Sequence, residues 1–225
     1  MTNPEPDPTS ASALLRQRGY VLYWLARFGI TLGVQIQSVA LGWMVYDVAR
    51  RSHGVATSSL YVGLIGLVTF APVFFLALPA GETADRHDRK KILLICYAAE
   101  VCTATFLACA VWFHFATLPI LLGVAAVFGA IRAYMGPAGS AMGPMLVPRE
   151  LLSRSIAWSS LAWQTGSIAG PAVGGLILAA SPAYAFAVCG GFYLLALVLV
   201  GMIRENTQPQ VGAGSAVVRR SPRSI

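Results

Sequence analysis

Charge is what this 225-residue sequence has least of. Aspartate, glutamate, lysine and arginine together make up 11% of it, where an ordinary soluble domain carries roughly 25%. With 56% hydrophobic residues and a mean hydropathy of +0.67, that scarcity excludes a soluble globular fold. Strand-sized segments of about ten residues with alternating polarity are also missing, which removes the transmembrane β-barrel. Cysteine is sparse and unpatterned. Cys96, Cys102, Cys109 and Cys189 lie in apolar runs with neither C-x-x-C spacing nor a histidine beside them, so they read as small packing residues, and no metal site or cofactor is expected. Histidine is rarer still. His53, His87 and His114 fall in loops or at helix ends, leaving Ser140 without the base a serine nucleophile needs. An intramembrane protease is thereby set aside, and the chain is expected not to be an enzyme.

What the sequence does have is long apolar runs. A spanning helix needs about 20 apolar residues, because its backbone groups must bond to one another where there is no water. Six runs meet that need, over about 20–46, 60–80, 92–116, 118–147, 156–180 and 183–203, and predict an all-α membrane protein of six transmembrane helices. The first run is too long for a signal-peptide core and is expected to remain as a spanning helix. Residues 1–18, which open as MTNPEPDPTSAS, read as an N-terminal tail. Residues 19–204 read as the transmembrane domain. Residues 205–225, polar and rich in Gly, Ser and Arg, read as a disordered tail or linker.

The formal charge of +7 is distributed by side and does not form a nucleic-acid surface, so no nucleic-acid partner is expected. Of the sixteen lysines and arginines, twelve fall on the side of residues 81–91, two (Arg50 and Arg51) on the other, and two (Arg27 and Arg132) inside helices. An excess of basic residues marks the cytoplasmic side, which places both termini there and the chain in a cell (inner) membrane.

The stretch GETADRHDRKK, residues 81–91, crowds four basic and three acidic side chains plus His87 between two apolar runs. It reads as a charged loop at the membrane surface, in which Asp85 can pair with Arg86 or Arg89 or face a helix N-terminus. A second pattern lies in the fifth run. Gly166, Gly170 and Gly174 are four apart and share one helical face, followed by Gly175, and small residues at that period let another helix approach closely. Pro171 removes one backbone donor and should leave the carbonyl of Ser167 free.

Three charges fall inside the spans. At about 1.5 Å per residue, Arg27 lies about 10 Å and Glu100 about 12 Å from the side of the charged stretch, and Arg132 about 21 Å along the fourth helix from the other. In a core about 30 Å thick they share a layer. Intramembrane charges are costly enough to be functional candidates, and the layer predicts that Glu100 pairs with Arg132 or Arg27 and is the acid best placed to carry a coupling proton. Gln35, Gln37 and Gln164, with Trp43 and Trp163, are candidates to line a cavity for an amphipathic substrate, and equally candidates for packing between helices.

GETADRHDRKKIL resembles the signature between helices 2 and 3 of the major facilitator superfamily, G-x-L-A-D-R-x-G-R-K-x-x-L, matched at Gly81, Ala84, Asp85, Arg86, Arg89, Lys90 and Leu93. Thr83 stands where the signature has Leu, and Asp88 where it has Gly, which is accommodated if the turn accepts Asp in a left-handed conformation. The resemblance implies a cytoplasmic gate that holds two six-helix halves together, with Asp85 and Arg89 at its electrostatic core. The glycine stretch is similar to the superfamily's antiporter signature at Gly166, Gly170, Pro171, Gly174 and Gly175, which implies export in exchange for protons. Arg132 followed by Gly136 is similar to its helix-4 signature, with Met135 in place of the usual Gln. ALGWMVYD (40–47), LALPAGETADR (76–86) and LVPRELLSRSIAWSS (146–160) look like the subgroup that contains the enterobactin exporter and related bacterial secretion or drug-efflux proteins.

The resemblance implies a secondary transporter that exports a small amphipathic molecule such as a drug or siderophore. It also implies a half-fold of two inverted three-helix repeats in a lipid bilayer. Twelve helices would need about 240 residues before any loop, so the chain reads as one half. It is expected to be a truncated product, a half that dimerises, or a half whose partner is a separate chain. A non-transporting scaffold or partner subunit is the alternative.

Overall fold

A computed structural model of the chain describes residues 14, 16–52 and 54–204. The polar tail expected after 204 and most of the N-terminal one, like His53, lie outside the described residues. The described residues are helical almost throughout and contain no strand. The helices are α1 (Arg18–Ser52), α2 (Val55–Arg86), α3 (Arg89–Trp112), α4 (Leu118–Met145), α5 (Leu152–Ala180) and α6 (Pro182–Gly201), with a short 3-10 turn at Arg149–Leu151 before α5. Five of them are long and apolar enough to cross a membrane. The remaining one, α5, has 29 residues but carries Ser153, Arg154, Ser159, Ser160, Gln164 and Thr165 among its apolar positions.

Three expectations are corrected at the helix ends. The N-terminal tail does not run to residue 18, because Leu14 is already helical and buried. The charged stretch is not a loop either. Gly81 to Arg86 form the last turns of α2 and Arg89 opens α3, leaving only His87 and Asp88 between them. A helix of 32 residues spans about 48 Å, so α2 can cross a core of about 30 Å and still carry its charged end beyond it. Asp88 is also not left-handed. At φ −62° and ψ 114° it is the N-cap of α3, and its carboxylate accepts from the Lys90 amide at 3.0 Å. The other short connection is built similarly: Ser181 caps α6 by accepting from Ala183 N at 3.3 Å, and Pro182 takes the first helical position.

The most extensive contacts are α2 on α4, α3 on α6, and α1 on both α5 and α6. Exchanging α1–α3 with α4–α6 turns the α2/α4 pair into the α5/α1 pair and returns α3/α6 to itself. That is the contact pattern of two three-helix repeats. α4 runs opposite to α1, so the repeats are inverted, as the sequence implied. α1 is the central helix, with Tyr23, Ala26, Ile36, Ala40 and Val45 buried. α2 is the most peripheral: Phe70, Phe74, Phe75 and Leu78 are exposed, and only Ser58, Ala80 and Ala84 are buried. In a bilayer that apolar face meets lipid.

Glycine sets how closely the helices cross. A Cβ on Gly129 of α4 would collide with the Thr69 backbone carbonyl of α2, and one on Gly170 of α5 with the Gln35 side chain at its root on α1. Gly166 faces Thr31, and Gly174 lies against the Ile36 backbone, whose Cα would be 3.1 Å from an added Cβ. The antiporter-like glycine face is therefore consumed inside this unit, against α1, and not left open for a second half. Gly175 has no atom within 4 Å of a would-be Cβ and takes no part in the crossing. Gly129→Ala and Gly170→Ala are expected to destabilise the bundle by about 1–3 kcal/mol through overpacking. Gly175→Ala is expected to be neutral, or to stabilise by up to ~1 kcal/mol through helix propensity. Thermal unfolding followed by exposure of the buried Cys96 and Cys189 to a thiol-reactive dye should rank the three variants in that order.

Candidate functional site

Polar residues on α1 fall on one stripe. Arg27, Thr31 and Gln35 are spaced by four, with Ile30 and Val34 between them, which is one face of a helix. On α4, Arg132, Met135, Gly136 and Gly139 follow the same periodicity, and on α5 Trp163 and Ser167 are four apart. These three stripes, with Tyr97 from α3, line a cleft of about 440 Å³. Gln35 and Trp163 were expected to line a cavity, and Arg27 and Arg132 were expected as charges of one layer; the cleft brings the four together. Thr31, Tyr97 and Ser167 were missed, although the four-residue polar spacing on α1 pointed to Thr31.

Three expected lining residues are elsewhere, and the first of them, Gln37, is fully buried. Trp43 is 52% exposed, with its ring 6.2 Å from that of Tyr46, two turns of helix beyond Gln35. Gln164 is exposed and faces away, since a residue next to Trp163 is rotated by about 100° around α5.

The three layer charges are not paired. Arg27 donates to the Tyr23 hydroxyl at 3.1 Å, and Arg132 is exposed with its guanidinium 5.5 Å from the centre of the Phe128 ring. Glu100 is fully buried, away from the cleft, on the side of α3 that meets α1 and α6. It forms no ion pair among the described residues. This corrects the predicted Glu100 pairing: the acid is buried away from the cleft that the two cations line. Thr103 contacts Glu100 Oε2 at 3.4 Å, while Oε1, Gln37 Nε2 and the Tyr193 hydroxyl are buried with no hydrogen-bond partner. Gln37 Oε1 is 3.6 Å from Cys189 Sγ. The result is a buried polar cluster and, apart from it, a more open cationic cleft.

At the charged end the basic residues bind within this unit. Arg89 donates to the Met145 sulfur at the end of α4. Lys90 Nζ donates to the carbonyls of Gly201 and Ile203, at 3.2 and 2.5 Å, closing the end of α6. Cations at helix C-termini are favoured by the unpaired carbonyls there. Arg86 pairs with Glu82 at 2.8 Å on the surface of α2. Asp85 is exposed and has no ion pair among the described residues, so Asp85 and Arg89 do not form the electrostatic core that the resemblance implied. Gly81 has open space where a Cβ would be.

Comparison with known proteins agrees with this geometry. The family described as transmembrane secretion effector matches residues 9–215. The enterobactin exporter of Salmonella paratyphi A is 30% identical over 195 residues, covering 83% of this chain and 44% of the exporter. The staphyloferrin A transporter of Staphylococcus aureus is 25% identical over 183 residues, covering 79% of this chain and 43% of the transporter. The chain thus spans less than half the length of these relatives.

The local chemistry of α5 is testable by itself. Pro171 cannot donate to the Ser167 carbonyl, and Gln35 Nε2 reaches that carbonyl instead, at 3.4 Å across the α1/α5 crossing. Gln35→Leu is expected to cost about 1 kcal/mol. In a Pro171→Ala background the helix supplies its own donor, and the same substitution should cost markedly less. Melting temperatures of the four members of this double-mutant cycle would check the coupling.

Proposed function

The chain belongs to the major facilitator superfamily, and from that footing we propose that it is the cavity-forming half of a secondary transporter that exports a small amphipathic molecule in exchange for protons. Its relatives carry transporter and exporter names, and the chain is a multi-pass membrane protein, not an enzyme. The observation that carries the reading is the cleft. Arg27, Gln35, Arg132 and Trp163 converge from three helices on a space of about 440 Å³, within the range that takes a drug-sized ligand. In the proposed transporter a second six-helix unit, a second copy or a separate chain, closes the open side of this cleft. Asp85 is an exposed charged group available to engage it at the cytoplasmic end. Both termini lie on that side, by the excess of lysine and arginine there.

Glu100 is the proposed proton carrier. It is buried where α1, α3 and α6 meet, in the layer of Arg27 and Arg132, and it sits among polar atoms that lack partners. Buried polar groups are nearly always satisfied, so a cluster of unsatisfied ones marks a place where a change of protonation rearranges helix packing. Alternating access requires such a switch between two packings.

Enterobactin, named for one relative, is the first trial substrate. Everted vesicles holding the chain are expected to accumulate it when an inward-acid pH gradient is imposed. Glu100→Gln should reduce gradient-driven uptake at least tenfold while exchange without a gradient persists. Uptake by Glu100→Gln with unchanged dependence on the gradient would remove the coupling role. Absence of any gradient-driven uptake, for this or a panel of amphipathic compounds, would count against the transport reading.

A further inference from the structure

We propose that the cleft selects organic anions, seating an acidic group between Arg27 and Arg132 and a planar ring against Trp163 and Tyr97. The inference rests on the transport reading for its role, and on the cleft alone for its chemistry. Among the residues that line the cleft, Arg27 and Arg132 carry charge and no aspartate or glutamate is present. The ion pairs found among the described residues, Asp47 with Arg51 and Glu82 with Arg86, are both at helix ends. Glu100, the acid of the same layer, is fully buried on another face of α3 and does not reach the cleft. Two arginines therefore stand at membrane depth without a contacting counter-charge, an arrangement costly enough to call for compensation. An anionic ligand supplies it.

The donors are free for the purpose. The contact of Arg132 with Phe128 is made through the face of the ring, and a guanidinium held that way keeps N–H groups in its own plane for a carboxylate or sulfonate. Arg27 uses Nη1 on Tyr23, leaving its other terminal nitrogen. A lipophilic cation would meet two like charges here and no acid among the lining residues, so the cleft discriminates between the two broad kinds of amphipathic compound by sign.

The test uses the whole chain in lipid nanodiscs and two probes of matched shape, 1-naphthalenesulfonate and 1-naphthylmethylammonium, in equilibrium binding without any gradient. The sulfonate is expected to bind at least tenfold more tightly. Arg132→Gln should weaken it about tenfold or more, while Arg132→Lys keeps most of the affinity. Arg132 makes no hydrogen bond among the described residues, so its substitution is not expected to disturb folding, and an unchanged melting temperature would verify that. Arg27→Gln should act in the same direction. Equal or tighter binding of the ammonium probe, binding of neither probe, or sulfonate binding indifferent to both arginines would overturn the inference. Anion binding without transport would defeat the transport reading alone, and transport of the ammonium probe would defeat this inference alone.

Discussion

The crossing of α5 on α1 is the contact on which the rest of the arrangement depends. Lipid offers helices no hydrophobic reason to associate, so their approach is governed by how closely backbones can pack. Gly166, Gly170 and Gly174 remove the side chains that would hold α5 away, and α1 answers with Thr31, Gln35 and Ile36 at the same heights. Because the crossing is close, Trp163 and Ser167 on α5 come level with Arg27 and Gln35 on α1, and the cleft exists between them. Pro171 belongs to the same contact. By leaving the Ser167 carbonyl without its helical donor, it gives Gln35 a partner across the interface and fixes the register of the two helices.

The inverted repeat places a second close crossing opposite the first. Gly129 lets α4 approach the backbone of α2 at Thr69, one turn from Arg132. Both crossings are set by glycine, and both carry a cation of the cleft on the adjoining turns. A methyl group at either crossing moves a helix bearing an arginine, so packing and ligand chemistry are not separable here. The charged end works by a different principle. Arg89 and Lys90, from the first turn of α3, close the ends of α4 and α6, tying the first and last helices of the second repeat to one point.

Periodicity and hydropathy were enough to read the six helices and the glycine face, because each of these is a one-dimensional property of the chain. Rotation about a helix axis relative to its neighbours is not. That is why Glu100 was paired with cations that it does not meet, and why Trp43 and Gln164 were grouped with Gln35. The charged stretch misled for another reason. A cluster of charges between apolar runs suggests a loop, but Glu82 and Arg86 are spaced by four, and a helix longer than the bilayer core carries such a pair without cost. Asp88 in place of glycine was the informative departure: a residue that caps a helix had been read as one that tolerates a turn.

The separation of acid from cations in one membrane layer is the feature that joins structure to function. Were Glu100 paired with Arg132, the layer would hold one neutralised pair and little attraction for a charged ligand. Instead the carboxyl is enclosed with Gln37, Thr103 and Tyr193 between α1, α3 and α6, and the guanidinium groups open onto the cleft. α1 belongs to both environments, presenting Gln37 to the buried cluster and Arg27 and Gln35 to the cleft. Two residues along a helix is a turn of about 200°, so Gln35 and Gln37 lie on nearly opposite faces of the same rod. A rotation or shift of α1 that repacks one face must displace the other. In the proposed transporter, that rigid connection is the physical means by which a proton gained or lost at Glu100 alters the hold of Arg27 on a ligand it never touches.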